Sequence, residues 1–374
     1  MPPRVIDVRS ADDLRDVVHL AVQALAEGKL VAFPTETVYA VAASALDSDA
    51  TARLLAAKRR KPAQPPLTLA VKSADDALDY VPRMNRLAQR IARRCWPGPI
   101  TLVCSDDHPE SVLTQLPQPV RAAVVPSGTV GLRVPKHPIF LDVMRMLAGP
   151  IVVSSANRSG QPDSQTAAEV IRAFGDDLQL VLDDGQSYFG APSTVVKVND
   201  RDFEVLRVGV VSEPTVRRFA SLVILFVCTG NTCRSPMAEV IARKLIADRL
   251  RCRPDELEDR GVIVQSAGLS AMGGGPAAME AVDVMSAIGL DLGAHESQPL
   301  TGQMVRYADL IFPMTRSHRQ AILSQWPEAA GRTELLAVDQ TDIADPIGGP
   351  PDVYRRCAAQ LQQELEARIA KLEL

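Results

Sequence analysis

Five residues, Thr229, Gly230, Asn231, Thr232 and Cys233, separate Cys228 from Arg234, and Ser235-Pro236 follow. That set can hold and attack a phosphate. A turn containing Gly230 and Asn231 points successive backbone N–H groups inward, a helix start adds positive potential, and Arg234 can grip two phosphate oxygens at once. The same field favours the thiolate of Cys228, which is the nucleophilic form, and Ser235 can donate a hydrogen bond to the sulfur. Taken singly, Cys228 and Cys233 would read as buried thiols in a Gly/Asn turn. The complete octet is what argues for chemistry.

Other segments gather polar and basic residues without a nucleophile. In order they are Phe33-Pro34-Thr35-Glu36-Thr37-Val38-Tyr39, Lys58-Arg59-Arg60-Lys61-Pro62, Trp96-Pro97-Gly98-Pro99, Gly131-Leu132-Arg133-Val134-Pro135-Lys136-His137-Pro138, Ser154-Ser155-Ala156-Asn157-Arg158-Ser159-Gly160, Pro192-Ser193-Thr194-Val195-Val196 and Leu206-Arg207-Val208-Gly209. Each alone has a plain structural reading as a turn, a capping segment, a solvated helix end or a strand.

The elements that must position these residues follow from periodicity. Ser10 can cap a helix carrying Leu14, Val17, Val18, Ala21, Val22 and Leu25 on one face and stopping at Gly28. Short apolar strands follow at Leu30–Phe33, Thr68–Val71, Ile100–Cys104, Ile151–Val153 and Thr194–Val198, separated by helices and Pro/Gly turns. That half predicts an α/β or α+β domain around one main sheet. The rhythm changes near Ser212. Strand Leu222–Val227 runs straight into Cys228, and strands at Val262–Gln265, Asp309–Phe312 and Glu334–Val338 alternate with helices at Pro236–Leu250, Pro276–Ile288 and Thr315–Trp326 and a last one from Asp352. Strict alternation predicts a small parallel sheet with helices on both faces and a site at the strand carboxyl ends. The expected division is residues 1–212, a linker 213–221, and residues 222–374.

The length of 374 residues suits two domains, and 46% hydrophobic with 23% charged residues is a globular composition. A net charge of −4 gives no basic field for nucleic acid. The N-terminal residues lack a signal-peptide pattern and no run is long and apolar enough to span a membrane, so the expected location is cytoplasmic, with no membrane partner. The six cysteines show no zinc-type pairing, which predicts reduced thiols and no protein-held metal.

From Leu222 onward the chain resembles the low-molecular-weight protein tyrosine phosphatase family, on the octet, the following Pro-Met-Ala-Glu, Ser266-Ala267-Gly268 and Asp345-Pro346. The resemblance implies a flavodoxin-like fold, Cys228 as nucleophile, Arg234 as phosphate grip, and Asp345 as general acid protonating the departing group while a cysteinyl-phosphate forms. It implies phosphorylated proteins as substrates and no cofactor. Thr232, where tyrosine-directed members carry a bulkier aliphatic residue, and the non-aromatic Ile347-Gly348-Gly349 favour phosphoarginine over phosphotyrosine. Arsenate reduction ranks third, because Cys252 and Cys357 have no evident relay placement.

Residues 10 to 212 resemble the YrdC/Sua5 family, on the seven segments in order. The resemblance implies a twisted-sheet α/β domain that condenses L-threonine, bicarbonate and ATP to threonylcarbamoyl-AMP, with magnesium on the phosphates. The product would reach tRNA indirectly, through downstream threonylcarbamoyl-transfer proteins. Thr35, Arg133, Ser155 and Ser193 are then the expected threonine-binding residues, and Arg59, Lys61, Asn157 and Arg207 the expected ATP-binding residues. Two departures are visible. Anchored on Pro62, the family's Lys-x-Arg-Pro becomes Arg59-Arg60-Lys61-Pro62, and the glycine after the aromatic is Ala40. They leave open a domain that binds nucleotide or RNA without turnover, joined to a tyrosine phosphatase.

Overall fold

A computed structural model of the chain describes residues 2–60 and 65–374. The chain divides into two compact units, Met1–Phe219 and Ala220–Leu374. Where a linker is expected, Glu213–Ala220 forms a helix.

The first unit is built on one mixed sheet. Its strands are β1 (Arg4–Asp7), β2 (Val31–Phe33), β3 (Ala40–Ser44), β4 (Thr68–Ala70), β5 (Ile100–Ser105), β6 (Thr129–Arg133), β7 (Ile151–Ser155), β8 (Leu180–Asp183), β9 (Thr194–Val198) and β10 (Phe203–Arg207). Their order across the sheet is β1-β8-β2-β3-β7-β4-β6-β5-β9-β10. The central strands are short and buried on both faces, which explains why alternation is faint there: β2 reads as a plain apolar run. One core packs the helices Leu14–Ala26 and Pro138–Met146 against the sheet through Val18, Leu25, Phe33, Phe140 and Ile151. The first of these helices starts later than expected. Asp13, not Ser10, caps it by accepting the Arg15 N–H at 2.8 Å, and Ser10 ends a short 3₁₀ turn.

Register brings the site residues to one level. β5 is antiparallel to β6 with Leu102 opposite Leu132, β9 is parallel to β5 with Val195 opposite Thr101, and Arg207 lies opposite Val195. Arg133 and Arg207 therefore emerge on neighbouring parts of the sheet. Gly209 is required at this turn, because a Cβ there would stand 2.1 Å from the Pro192 carbonyl oxygen. Ala40, where a glycine is the family pattern, is an ordinary strand residue opposite Phe33 and Ser155.

In the second unit β11 (Leu222–Cys228) lies between β12 (Val262–Gly268) and β13 (Leu310–Pro313), all parallel. Alternate residues of β11 face two cores. Ile224, Phe226 and Cys228 pack toward the helices Arg234–Leu250 and Pro351–Ile369, while Val223, Leu225 and Val227 pack toward Val305 and Ile322 on the other face. The strand expected at Glu334–Val338 does not form. Its start runs along β13 through Glu334 N–H to Ile311 O and Leu336 N–H to Pro313 O, but the Val338 N–H then turns to the Glu364 carboxylate and the Ala337 carbonyl to Gln340. Helix termini elsewhere shift by a few residues, the usual ambiguity of frayed ends.

Candidate active sites

In the second unit the octet closes on its own sulfur. Cys228 ends β11, Asn231 takes a left-handed φ of 55°, which asparagine tolerates, and the helix begins at Arg234. That turn aims the Asn231 N–H at Cys228 Sγ, 3.2 Å away, and places Ser235 Oγ 3.0 Å from the same sulfur. The buried sulfur thus faces a backbone N–H and a hydroxyl that can each donate to it. Asn231 is fully buried and ties the loop to its surroundings: its Nδ2 donates to Ser235 Oγ and Ser266 Oγ, both at 2.9 Å, and its Oδ1 accepts the Gln298 N–H. The Asn231 carbonyl lies 2.8 Å from His295 Nε2. Gly268 lets the loop approach β12, since a Cβ there would stand 2.6 Å from the Thr229 carbonyl oxygen. Gly230 leaves its own position open beside Thr232 Oγ1.

Arg234 is buried, donates to the Ile343 carbonyl at 3.2 Å, and is ion-paired with Asp345. Asp345 is the exposed partner of that pair. The other thiols near the site are set apart. Burial pushes Cys357 up to about 12 and raises Cys233, whose Sγ lies 3.6 Å from Thr232 Oγ1 and 3.7 Å from the Tyr354 hydroxyl. His318 is a residue that sequence reasoning missed. Its Nε2 lies 2.9 Å from Thr229 Oγ1, its Nδ1 is buried without a hydrogen-bond partner, and burial followed by the charge of Arg234 lowers it to about 4.

The first unit's site is a set of hydrogen-bonded cations. Arg133 Nη2 donates to Glu36 Oε1 and Thr37 Oγ1, both at 2.8 Å, while its Nε is buried with no hydrogen-bond partner among the described residues. Glu36 also accepts the Lys136 N–H. Thr35 is buried within the same loop, with its hydroxyl donating to Val38 O and lying 2.9 Å from Thr37 Oγ1. Arg207 holds Ser193 through its carbonyl and its Oγ, at 2.8 and 3.1 Å, and Ser193 reaches Thr101 at 3.0 Å. Ser155 Oγ donates to Asn157 Oδ1 at 2.6 Å, and Lys58 Nζ joins them by donating to Ser155 O and Asn157 Oδ1. Arg207 feels the charges of Asp163 and Arg133, and Lys58 those of Arg60 and Asp163, so these groups share one field.

The chain was compared with known proteins. Residues 23–209 match the Sua5, YciO and YrdC family model, described as telomere recombination, and residues 223–373 match that of the low molecular weight phosphotyrosine protein phosphatases. A threonylcarbamoyl-AMP synthase of Pyrococcus abyssi is 35% identical over 192 residues, which are 51% of this chain and 54% of that protein. The chain thus spans about half the length of that relative. A protein-arginine-phosphatase of Bacillus subtilis is 39% identical over 152 residues, 40% of this chain and 94% of that one. The chain belongs to both families, one in each half. A solved structure of P. abyssi Sua5 complexed with L-threonine matches at 25% identity and a TM-score of 0.52, covering 71% of this chain and 92% of that one.

Within the Sua5/YrdC half, the expected residues fall into three hydrogen-bonded groups: Thr35 with Arg133 through Thr37, Ser193 with Arg207, and Ser155 with Asn157. Arg59 does not: it is exposed, with φ at 51°. Lys61 lies outside the described residues. Lys58 and Arg60 are the residues that face inward, with Lys58 buried to 4% exposure. A Lys-x-Arg spacing also occurs at Lys58 and Arg60, while Lys61 and Pro62 both lie outside the described residues. The signal was present in the sequence as the final residues of an amphipathic helix whose buried face continues to Lys58. Asp163 was also missed, and nothing local in the sequence marks it. In the phosphatase half all the octet residues and Asp345 come together.

Proposed function

We propose that the chain is a bifunctional enzyme. Its first half makes threonylcarbamoyl-AMP from L-threonine, bicarbonate and ATP, for the tRNA modification completed by downstream threonylcarbamoyl-transfer proteins. Its second half is a cysteine-dependent protein phosphatase that favours phosphoarginine. The observation supporting the synthase is the partnerless, buried Nε of Arg133. A buried guanidinium N–H without an acceptor is costly, and a threonine carboxylate is an acceptor of matching geometry. Lys58, Arg60 and Arg207 would neutralise the triphosphate, and Asn157, Ser155 and Ser193 would orient it and the amino acid. Catalysis is then positioning and charge stabilisation without a covalent intermediate. Among the described residues no cluster of three or more His, Cys, Asp or Glu side chains could cage a metal. The residues fit magnesium as an ion carried on the phosphates, where it would supply charge neutralisation.

In the phosphatase, Cys228 attacks phosphorus, the cradle N–H groups and Arg234 hold the equatorial oxygens, and Asp345 protonates the leaving nitrogen or oxygen. Water then cleaves the cysteinyl-phosphate. Thr232 is half-buried in the cradle, its hydroxyl 3.6 Å from Cys233 Sγ, and Ile347 is 67% exposed, which supports a small polar residue in the loop and an aliphatic one where an aromatic would stack. The test runs both activities on one preparation: threonine- and bicarbonate-dependent pyrophosphate release from ATP, and phosphate release from phosphoarginine and phosphotyrosine. Wild type should have the higher kcat/KM on phosphoarginine, and Thr232→Ile should reverse the order by crowding the guanidinium. A phosphotyrosine preference unchanged by Thr232→Ile would refute the arginine assignment, and ATP binding without pyrophosphate release would refute the synthase.

A further inference from the structure

The helix Arg316–Gln325 has two functional-looking faces. Its buried face carries His318 to Thr229 of the phosphate cradle. Its exposed face carries Arg316, Arg319, Gln320 and Leu323 at helical spacing, and these line a groove of about 610 Å³ together with Leu335 and Gln340. The groove floor is apolar, since Leu335 is 2% exposed and Leu323 half-buried. Its lining carries two guanidinium groups and no carboxylate. Arg316 is paired at its outer edge with Asp342, at 3.4 Å. Arg319 donates its Nε to the Thr333 carbonyl and has no carboxylate partner among the described residues.

The groove is tied to the phosphate cradle through Asp342. Asp342 precedes Ile343, whose carbonyl holds Arg234, and Asp345, and it accepts the Arg316 N–H at 2.8 Å. His318 feels the charges of Arg234, Asp345 and Asp342 together. Gln340, at the groove wall, holds a left-handed φ of 64°, a conformation that costs a non-glycine residue energy and is kept where the surroundings fix it.

We propose that this groove docks the acidic segment flanking the phosphorylated residue of a protein substrate, with its carboxylates on Arg319 and Arg316 and an apolar side chain over Leu323 and Leu335. This rests on the phosphatase reading and adds a substrate class to it. A mobile phosphorylated side chain in the cradle would then be held by its neighbours in sequence, and discrimination would appear in KM and in salt sensitivity.

The experiment compares two synthetic peptides carrying the same phosphorylated residue, one flanked by Asp and Glu and one by Gln and Ser, with a small aryl phosphate ester as a third substrate. Wild type should prefer the acidic peptide about three- to tenfold in kcat/KM, the scale of one or two exposed charge pairs. The preference should reside in KM, shrink as salt rises, and disappear in Arg319→Glu, while turnover of the small ester stays at the wild-type rate. Leu323→Ser should weaken both peptides alike. Equal KM values for the two peptides in wild type, or an acidic preference that survives Arg319→Glu, would overturn the docking groove and leave the phosphatase intact. Failure of wild type to hydrolyse the ester and both peptides would overturn the phosphatase reading, and the groove with it.

Discussion

The two sites solve different problems with different amounts of chain. The phosphatase cradle is local: eight consecutive residues supply the proposed nucleophile, two groups that can donate to its sulfur and the guanidinium proposed to grip phosphate, and one asparagine ties that loop to β12 and its neighbours. The candidate site of the first unit is dispersed, with Arg133 and Arg207 positioned by sheet register, Lys58 by the end of the helix Ser48–Ala57, and each engaged by a protein acceptor. A reaction through a covalent intermediate needs a reactive group held in one protonation state. A condensation of three substrates needs charges at fixed separations, which a broad sheet provides better than one loop can. The contrast teaches that single substitutions should act as a switch in one half and as a graded loss in the other.

The largest effect is expected where the chemistry rests on one atom. Cys228→Ser replaces a thiolate by a neutral hydroxyl and should reduce phosphate release to background, while pyrophosphate release by the first half stays unchanged. Residual turnover above a few per cent would show that the sulfur is not the nucleophile. Asp345→Asn should follow, slowing phosphoenzyme formation by ~10²- to 10⁴-fold, because the proton donor is gone while the cradle is intact. The loss should be smaller for esters whose leaving group needs no proton, and an equal loss for all leaving groups would give Asp345 a structural role through Arg234 instead.

On the synthase side Arg133→Ala should cost ~10- to 100-fold in kcat/KM for threonine, the range of one charge-assisted pairing, with ATP parameters little changed. A collapse to background would break the contrast by showing a single indispensable group in that half as well. An effect of the same size on ATP would mean that Arg133 serves the phosphates.

The same locality decides how much could be read from the sequence. The octet, the strand before it and the helix after it are contiguous, so their spacing alone implied the geometry of Cys228, Asn231 and Arg234. Arg133, Ser193 and Arg207 were picked from separated turns, and their convergence depends on β6, β5, β9 and β10 pairing in a register that no local pattern specifies. Arg59 points outward because the buried face of its helix runs on to Lys58 and not to the residue after it. Lys58 is identified by burial, the quantity a linear reading lacks. His318 escaped for the same reason: a histidine near a helix start has no sequence mark that links it to Thr229 across 89 positions. The false strand at Glu334–Val338 had the right apolar content, but the Glu364 carboxylate competes for its backbone.

The smallest effect concerns Lys58 and protons. Burial, with a further push from Arg60, lowers Lys58 from its ordinary value to about 8, against the opposing charge of Asp163. A lysine depressed in the folded state releases its proton while the unfolded chain keeps it. The unfolded state therefore binds more protons between about pH 8 and the ordinary lysine range, and this group's contribution to stability rises with pH across that window and is flat below it. ATP acts in the opposite direction, since a triphosphate beside the ammonium favours the charged form. Binding near pH 8 should accordingly take up about half a proton, and KM for ATP should rise about threefold from pH 7 to pH 8.5. Titration calorimetry in buffers of different ionisation enthalpy reads the proton directly. Lys58→Arg, which stays charged throughout, should abolish both the uptake and the rise while retaining turnover. Uptake of the same size in Lys58→Arg would place the titrating group elsewhere and leave Lys58 as a neutral clasp between Ser155 and Asn157, in which case the dispersed site would use two phosphate-binding cations, Arg60 and Arg207, and not three.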